Sequence, residues 1–132
     1  MILKLLENEY SVYKFNPNIS ISENKFDGEF VSITRTKDEI SVVAVSSLLD
    51  NFENVEKGWK IFKVDEILDF GLIGILSKIS TLLAEEMISI YVISTYNTDC
   101  IMVKEKNLYN IIEKLRKNGY EIIINGVRPN CT

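Results

Sequence analysis

Residues 74–103, GILSKISTLLAEEMISIYVISTYNTDCIMV, decide the fold class of this chain. From residue 72 onward, apolar side chains recur three and four positions apart, which is typical of the buried face of an amphipathic helix. That face consists of Leu72, Ile75, Leu76, Ile79, Leu82 and Leu83. The apolar runs that follow, 88–95 and 99–104, predict two strands joined by a turn. We therefore expect a helix followed by a β-hairpin.

The segments on either side extend this pattern. Side chains of residues 59–64 alternate between two sides, which is typical of a strand. Asp69 is the expected N-cap of the first helix. KNLYNIIEKLRKNG predicts a second helix that stops at Gly119, and YEIII predicts a last strand. The order from residue 58 to 125 is β-α-β-β-α-β, the ferredoxin-like split βαβ arrangement. The predicted fold class is α+β, with both helices on one face of a four-stranded antiparallel sheet.

The first half of the chain repeats this order in reduced form. A strand is followed by the polar segment 16–28, which lacks a helical stripe where a first helix is expected. A hairpin then turns around residues 36–38, and residues 46–52 predict one or two helical turns. We expect an internal duplication, with a reduced unit at 1–57, a complete unit at 58–132 and the junction at 55–58.

Both faces of the predicted sheet are apolar, because Ile90 and Val92 alternate with Tyr91 and Ile93. The helices cover only one face, and a large open apolar sheet is rare on a monomer. We therefore expect the first half of the chain or another subunit to cover the second face. A homodimer or a larger even assembly is the predicted state.

Composition excludes several classes of protein. The chain has 132 residues, no histidine and a formal net charge of -4, which argues against His-dependent catalysis and sequence-independent nucleic-acid binding. Its two cysteines form neither a disulfide framework nor a zinc site, and we expect no metal and no cofactor. We also expect no signal peptide and no membrane span. Two cysteines outside any disulfide framework favour a cytoplasmic protein with reduced thiols, and the absence of histidine favours a non-catalytic one.

The C-terminal half resembles the ACT domain family, small regulatory modules that bind amino acids. The resemblance rests on EKGW, LDFGLIGILSKIS, LLAEEMISIYVISTYNTDCIMVKE and, earlier, FVSITRTKDEISVV. It is closest to the tandem ACT proteins, which include the CASTOR-type arginine sensors and small bacterial relatives. The resemblance implies a ligand pocket where two ACT units meet, between the start of the first helix and the turn of the hairpin. It also implies that arginine is disfavoured, because Leu72 stands where the arginine sensors have an acidic residue.

The residues at these two positions suit a free amino acid. The N–H groups at a helix start attract a carboxylate, glycine allows a close approach, and Asp99 can hold the ammonium group. The same residues also have purely structural explanations. Turn residues hydrogen-bond their own backbone, Gly71 and Gly74 allow a helix to pack closely on the sheet, and Tyr96 can cover the edge of the core. We expect an amino-acid-binding regulatory module; a structural or protein-interaction module that has lost its ligand is the alternative. The predicted ligand-binding residues are Leu72, Ile73, Gly74, Ile75, Ser94, Thr95, Tyr96, Thr98 and Asp99.

Overall fold

The computed structural model describes residues 1–21, 26, 28–46, 54–65 and 74–124. The chain divides into two compact units. We call Met1–Glu7 together with Lys60–Thr132 the helical unit, and Asn8–Trp59 the hairpin unit. The elements in chain order are β1 (Ile2–Leu5), β2 (Tyr10–Phe15), β3 (Ser32–Arg35), β4 (Ile40–Val45), β5 (Val55–Val64), α1 (Ile75–Glu85), β6 (Tyr91–Ser94), β7 (Asp99–Lys104), α2 (Leu108–Lys117) and β8 (Glu121–Ile124).

The helical unit has the predicted order β5-α1-β6-β7-α2-β8, but its sheet is not the predicted four-stranded one. Strand β1 lies between β5 and β8, so the described sheet of this unit has five strands in the order β8-β1-β5-β7-β6. Leu3 pairs with Val64 in the antiparallel β1–β5 ladder and with Ile122 in the parallel β1–β8 ladder. Strand β1 fits there because Leu3 and Leu5 point into the core while both of its edges are hydrogen-bonded.

The two helices pack on one face of this sheet, as predicted. Their apolar residues meet those of the strands in a single buried cluster. Burying each large aliphatic side chain contributes about 1.5–3 kcal/mol, and this term holds the helices to the sheet. The cluster comprises Leu3, Leu5, Phe62, Val64, Ile79, Leu82, Leu83, Ile101, Val103, Ile111, Leu115, Tyr120 and Ile122.

The opposite face of the helical unit's sheet is also buried at its centre. Ile61, Cys100 and Met102 are at most 1% exposed in the single chain. They alternate along β5 and β7 with Phe62, Ile101 and Val103, which belong to the helix-side cluster. The sequence predicted that this apolar face must be covered. The burial of these three side chains agrees with that prediction.

The hairpin unit consists of β2, β3, β4 and the first part of β5. Strand β4 pairs antiparallel with both β2 and β3, and the predicted turn is closed by the bond from Thr36 N to Glu39 O. Arg35 donates to the carbonyl oxygens of Pro17 and Ile19 and fixes the polar segment after β2. The described part of residues 16–28 contains no helix, as predicted, and residues 47–53 lie outside the described part.

The compact units divide between Trp59 and Lys60, next to the junction expected at residues 55–58. Val55 and Glu56 are paired strand residues of β5, opposite Tyr13 and Val12. The first seven residues join the helical unit because β1 hydrogen-bonds there. Within the described ranges, no helix is long and apolar enough to cross a membrane.

Candidate functional site

The start of α1 is open to a ligand. Gly74 is the N-cap, in the left-handed conformation with φ 82°, and no side chain caps the helix. The first intrahelical bond runs from Lys78 N to Gly74 O at 2.9 Å. The N–H groups of Ile75, Leu76 and Ser77 therefore have no carbonyl partner within the helix, and they form the positive end of its dipole.

The helix begins later than its sequence predicts. The expected N-cap, Asp69, lies outside the described residues, and the N-cap in the structure is Gly74. Glycine takes positive φ without the steric cost that other residues bear, so the chain can turn into the helix at this point. Two further predicted site residues, Leu72 and Ile73, also lie outside the described residues, whereas Gly74 and Ile75 stand at the helix start.

The hairpin turn uses most of its polar groups to hold itself together. The Ser94 hydroxyl donates to Asp99 Oδ1 at 2.5 Å, and the Thr95 hydroxyl donates to the Thr98 carbonyl at 3.1 Å. The Thr98 hydroxyl donates to the carbonyl oxygen of Val64 at 2.7 Å. Thr98 is only 6% exposed, so this bond ties the turn to the end of β5.

Other groups of the turn remain accessible. Tyr96 is fully exposed and does not cover the edge of the core. Asp99 is half-buried, and its second carboxylate oxygen has no hydrogen-bond partner within the described part of the chain. Among the predicted turn residues, Asp99 is therefore the charged group best placed to meet an ammonium ion.

The described residues do not bring the two predicted halves of the site into one cavity. A cavity of about 190 Å³ lies at the start of α1, and none of the turn residues lines it. Its lining residues are Met1, Gly74, Ile75, Lys78, Asn118, Gly119 and Tyr120. We call it the helix-end cavity, because it lies between the start of α1 and the end of α2.

Sequence patterns gave little sign of this cavity. Lys78 lies on the polar side of α1, and Gly119 is the stop signal of α2. In the structure the Lys78 ammonium lies 5.6 Å from the centre of the Tyr120 ring. Burial raises the pKa of the Tyr120 hydroxyl, so it keeps its proton over the ordinary pH range. The one sign of this cavity in the sequence is that the stop glycine, Gly119, is followed directly by the aromatic residue Tyr120.

Neither metal binding nor thiol chemistry finds support in the described ranges. No group of three or more His, Cys, Asp or Glu side chains that could hold a metal occurs there. Cys100 is buried, and burial raises the pKa of its thiol; the nearby Lys63 lowers that pKa and Asp99 raises it. A buried thiol with a raised pKa is a poor nucleophile.

Comparisons with known families agree with the order of elements. A family model described as an ACT domain matches residues 54–117, and a second one, described only as an N-terminal domain, matches residues 8–49. None of the curated proteins compared with this chain matches it. The ACT match and the β-α-β-β-α-β order together give a mixed α+β fold of the ferredoxin-like, ACT type.

Solved structures of similar fold cover nearly the whole chain. A protein from Agobacterium tumefaciens is 28% identical, with a TM-score of 0.87 over 98% of this chain and 96% of that one. A Vibrio cholerae protein of unknown function, described as a possible transport protein, is 19% identical, with a TM-score of 0.69 over 86% and 85%.

An enzyme contains a similar fold as one part of its chain. E. coli aspartokinase III in complex with aspartate and ADP, in the R state, is 15% identical, with a TM-score of 0.61 over 89% of this chain and 33% of the enzyme. The same enzyme in complex with lysine and aspartate, in the T state, is 16% identical, with a TM-score of 0.51 over 88% and 32%. This chain therefore spans about a third of the enzyme's length.

Proposed function

We propose that this chain is a non-catalytic regulatory module that binds a free amino acid where two ACT units meet. The observation that carries the proposal is the uncapped start of α1 at Gly74, within the segment that matches an ACT domain. The complexes of E. coli aspartokinase III with lysine and aspartate support amino acids as the ligand class. Kinship with the CASTOR-type sensors is part of the proposal, since the family match itself extends only to the ACT domain.

In this proposal the ligand bridges the helix start and the turn. Its carboxylate accepts hydrogen bonds from the N–H groups at Ile75 and the two residues after it, where the helix dipole also attracts an anion. Its ammonium group pairs with Asp99, beside the hydroxyls of Ser94 and Thr95. Leu72 and Ile73 line the side-chain pocket, which favours a neutral or apolar side chain over arginine.

Thr98 has a different part in this proposal. Its hydroxyl already donates to the Val64 carbonyl in a buried position, so it holds the turn rather than the ligand. Tyr96, fully exposed in the single chain, would contact the ligand or the facing ACT unit.

The alternative function is a protein-interaction module that keeps the fold without a ligand. The hydrogen bonds inside the turn favour it, because Ser94, Thr95 and Asp99 already have partners there. The two functions assign different roles to the uncapped start of α1. A ligand-binding module needs it free, whereas an interaction module gains nothing from leaving the helix uncapped.

Assembly and location belong to the same proposal. We propose a cytoplasmic homodimer, or a larger even oligomer, because a site between ACT units is completed by a facing unit. Strand β6 is at the edge of the described sheet, and its residues Tyr91, Val92 and Ile93 are only half-buried. Sedimentation equilibrium at micromolar concentration tests this, and a monomer would contradict it.

Calorimetry with the amino acids tests ligand binding through Asp99→Asn. Asparagine keeps the shape and still accepts from Ser94, but it lacks the charge. We expect it to weaken binding by about 1.5–3 kcal/mol, as for a hydrogen bond to a charged group. Asp38→Asn is the matched control, because Asp38 is an exposed turn aspartate in the hairpin unit. Equal affinity of the two variants would contradict the role of Asp99.

A second variant, Gly74→Asn, closes the helix start. Asparagine tolerates positive φ better than other residues, and a Cβ at Gly74 meets no atom within 4 Å. The new side chain can cap the free N–H groups, so the helix should persist while amino-acid binding is lost. Gly58→Asn is the control, since Gly58 has a φ of 83° and the same free space. Unchanged binding in Gly74→Asn would remove the helix start from the site.

A further inference from the structure

Asn118 and Gly119 form a chemically labile pair at the end of α2. An asparagine followed by glycine is especially prone to deamidation, because a residue without a side chain does not hinder attack by its own backbone nitrogen. Every other asparagine of the described ranges precedes a residue that has a side chain. The sequence holds a second such pair, Asn125–Gly126, which lies outside those ranges.

Deamidation of this pair proceeds in two steps that consume only water. The Gly119 nitrogen attacks Asn118 Cγ, so a bond from this nitrogen to Cγ forms, the bond from Cγ to Nδ2 breaks, and ammonia leaves with the proton of the Gly119 N–H. Water then opens the five-membered succinimide at either carbonyl, which yields aspartate or isoaspartate at position 118. Asn118 is exposed, so water reaches the pair and ammonia can escape.

In the structure, both reacting groups are engaged in the C-cap of α2. Asn118 Nδ2 donates to the carbonyl oxygen of Lys114 at 2.8 Å, and Gly119 N donates to the carbonyl oxygen of Arg116 at 3.1 Å. These bonds satisfy carbonyl groups that the end of a helix leaves without partners. They also hold in place the attacking nitrogen and the side chain that it must reach.

The backbone of the cap keeps the two reacting atoms apart. Asn118 has φ -105° and ψ 20°. Ring closure needs the Gly119 nitrogen on the same side of Cα as Cβ, which requires a strongly negative ψ. The bond from Tyr120 N to Leu115 O, 3.1 Å long, fixes the following residue as well. The rotation therefore requires the last turn of α2 to open locally.

We propose that Asn118 is a deamidation site that the C-cap of α2 keeps unreactive, and that it reacts when the last turn of α2 opens. The loss of ammonia makes this change one-way. An ionised aspartate only accepts hydrogen bonds, so it cannot replace the donor to Lys114 O. Its negative charge also lies at the negative end of the helix dipole, although Arg116 and Lys117 of the last turn offset part of this cost. Deamidation therefore weakens the end of α2.

Peptide mapping by mass spectrometry measures the deamidation rate of Asn118 in the full chain. The background carries Asn125→Gln, because trypsin leaves both asparagine–glycine pairs in one peptide. At mildly alkaline pH, Asn118 should react at least about tenfold more slowly in the folded chain than in guanidinium chloride, where the cap is absent. An equal rate in both states, or no reaction in guanidinium chloride, would overturn the proposal.

Two matched glycine variants test whether the opening of α2 controls the rate. Arg116→Gly and Ala84→Gly each place glycine at the exposed, next-to-last position of a helix, in α2 and α1 respectively. Because glycine destabilises a helix, Arg116→Gly should speed the reaction roughly threefold to fivefold, whereas Ala84→Gly should leave it unchanged. Arg116→Ala removes the charge, keeps a high helix propensity and should also leave the rate unchanged. Equal acceleration by the two glycine variants would overturn the assignment to the end of α2.

Asn118→Asp represents the product of deamidation. Amide hydrogen exchange at Gly119 and Tyr120 reports on the cap, since both amides donate to carbonyl groups of the last turn. We expect Asn118→Asp to speed this exchange roughly threefold to tenfold. Asn110→Asp is the control, because it makes the same change at an exposed position near the start of α2 and should leave the exchange unchanged. Wild-type exchange in Asn118→Asp would contradict the capping role of the Asn118 amide.

Discussion

Replacing Thr98 by valine tests whether this residue holds the hairpin turn. Valine has nearly the same shape, so the change removes one hydroxyl and adds one methyl group. The lost bond is the one from the Thr98 hydroxyl to Val64 O, 2.7 Å long and buried. Thr98 is 6% exposed, and water has little access to replace the missing donor.

The expected loss of stability follows from two opposing terms. A buried carbonyl left without a partner costs about 1–3 kcal/mol. The added methyl group returns about 0.8 kcal/mol by burial. We therefore expect Thr98→Val to lower the free energy of unfolding by roughly 0.2–2.2 kcal/mol, with about 1 kcal/mol at the middle of this range.

Urea denaturation measures this loss as a lower midpoint with an unchanged slope. The control is Thr34→Val, at an exposed position of β3, which should stay within about 0.5 kcal/mol of the wild type. Wild-type stability of Thr98→Val would refute the reasoning. Lost amino-acid binding at unchanged stability would assign the hydroxyl to the ligand instead.

Three further changes probe the rest of the helical unit. Gly119→Ala should cost about 1–2 kcal/mol in urea denaturation, because Gly119 has a φ of 90° and the added Cβ meets no atom within 4 Å, which leaves only backbone strain. Leu83→Ala should cost about 2–5 kcal/mol by the same assay, since Leu83 is fully buried between helix and sheet. Burial raises the pKa values of Cys100 and Tyr120 above their ordinary values of 9.0 and 10.0, so the unfolded chain loses these protons first as pH rises. The free energy of unfolding should then fall as pH increases through about 9 and 10, and denaturation curves at about pH 8 and pH 10.5 check this sign.

Strong local periodicity made the core of the helical unit predictable. Strand β7 coincides with the predicted 99–104, and α2 ends just before Gly119, because alternation and a stop glycine are local signals. The first hairpin strand is shorter than predicted, Tyr91–Ser94 rather than 88–95. Ile88 and Ile90 pack against the core without being strand residues, so their alternation reflects burial rather than pairing.

Non-local pairing and backbone handedness were not predictable. Alternation shows which face of β1 is buried, but it does not say that β1 lies between β5 and β8. Glycine at position 74 is visible in the sequence, whereas its positive φ, which sets the start of α1, is not. The helix-end cavity was missed because Lys78 lies in α1 whereas Asn118 and Tyr120 follow α2, and no local pattern shows that these two parts of the chain meet.

The central claim is that this chain binds a free amino acid, and a thermal-shift series over the amino acids tests it most directly. A ligand at a hundredfold excess over its Kd stabilises the folded chain by about 2.7 kcal/mol. We predict a rise in melting temperature that saturates for at least one amino acid with a neutral or apolar side chain, and a smaller one for arginine. No shift for any amino acid at millimolar concentration would contradict the claim and favour the interaction module.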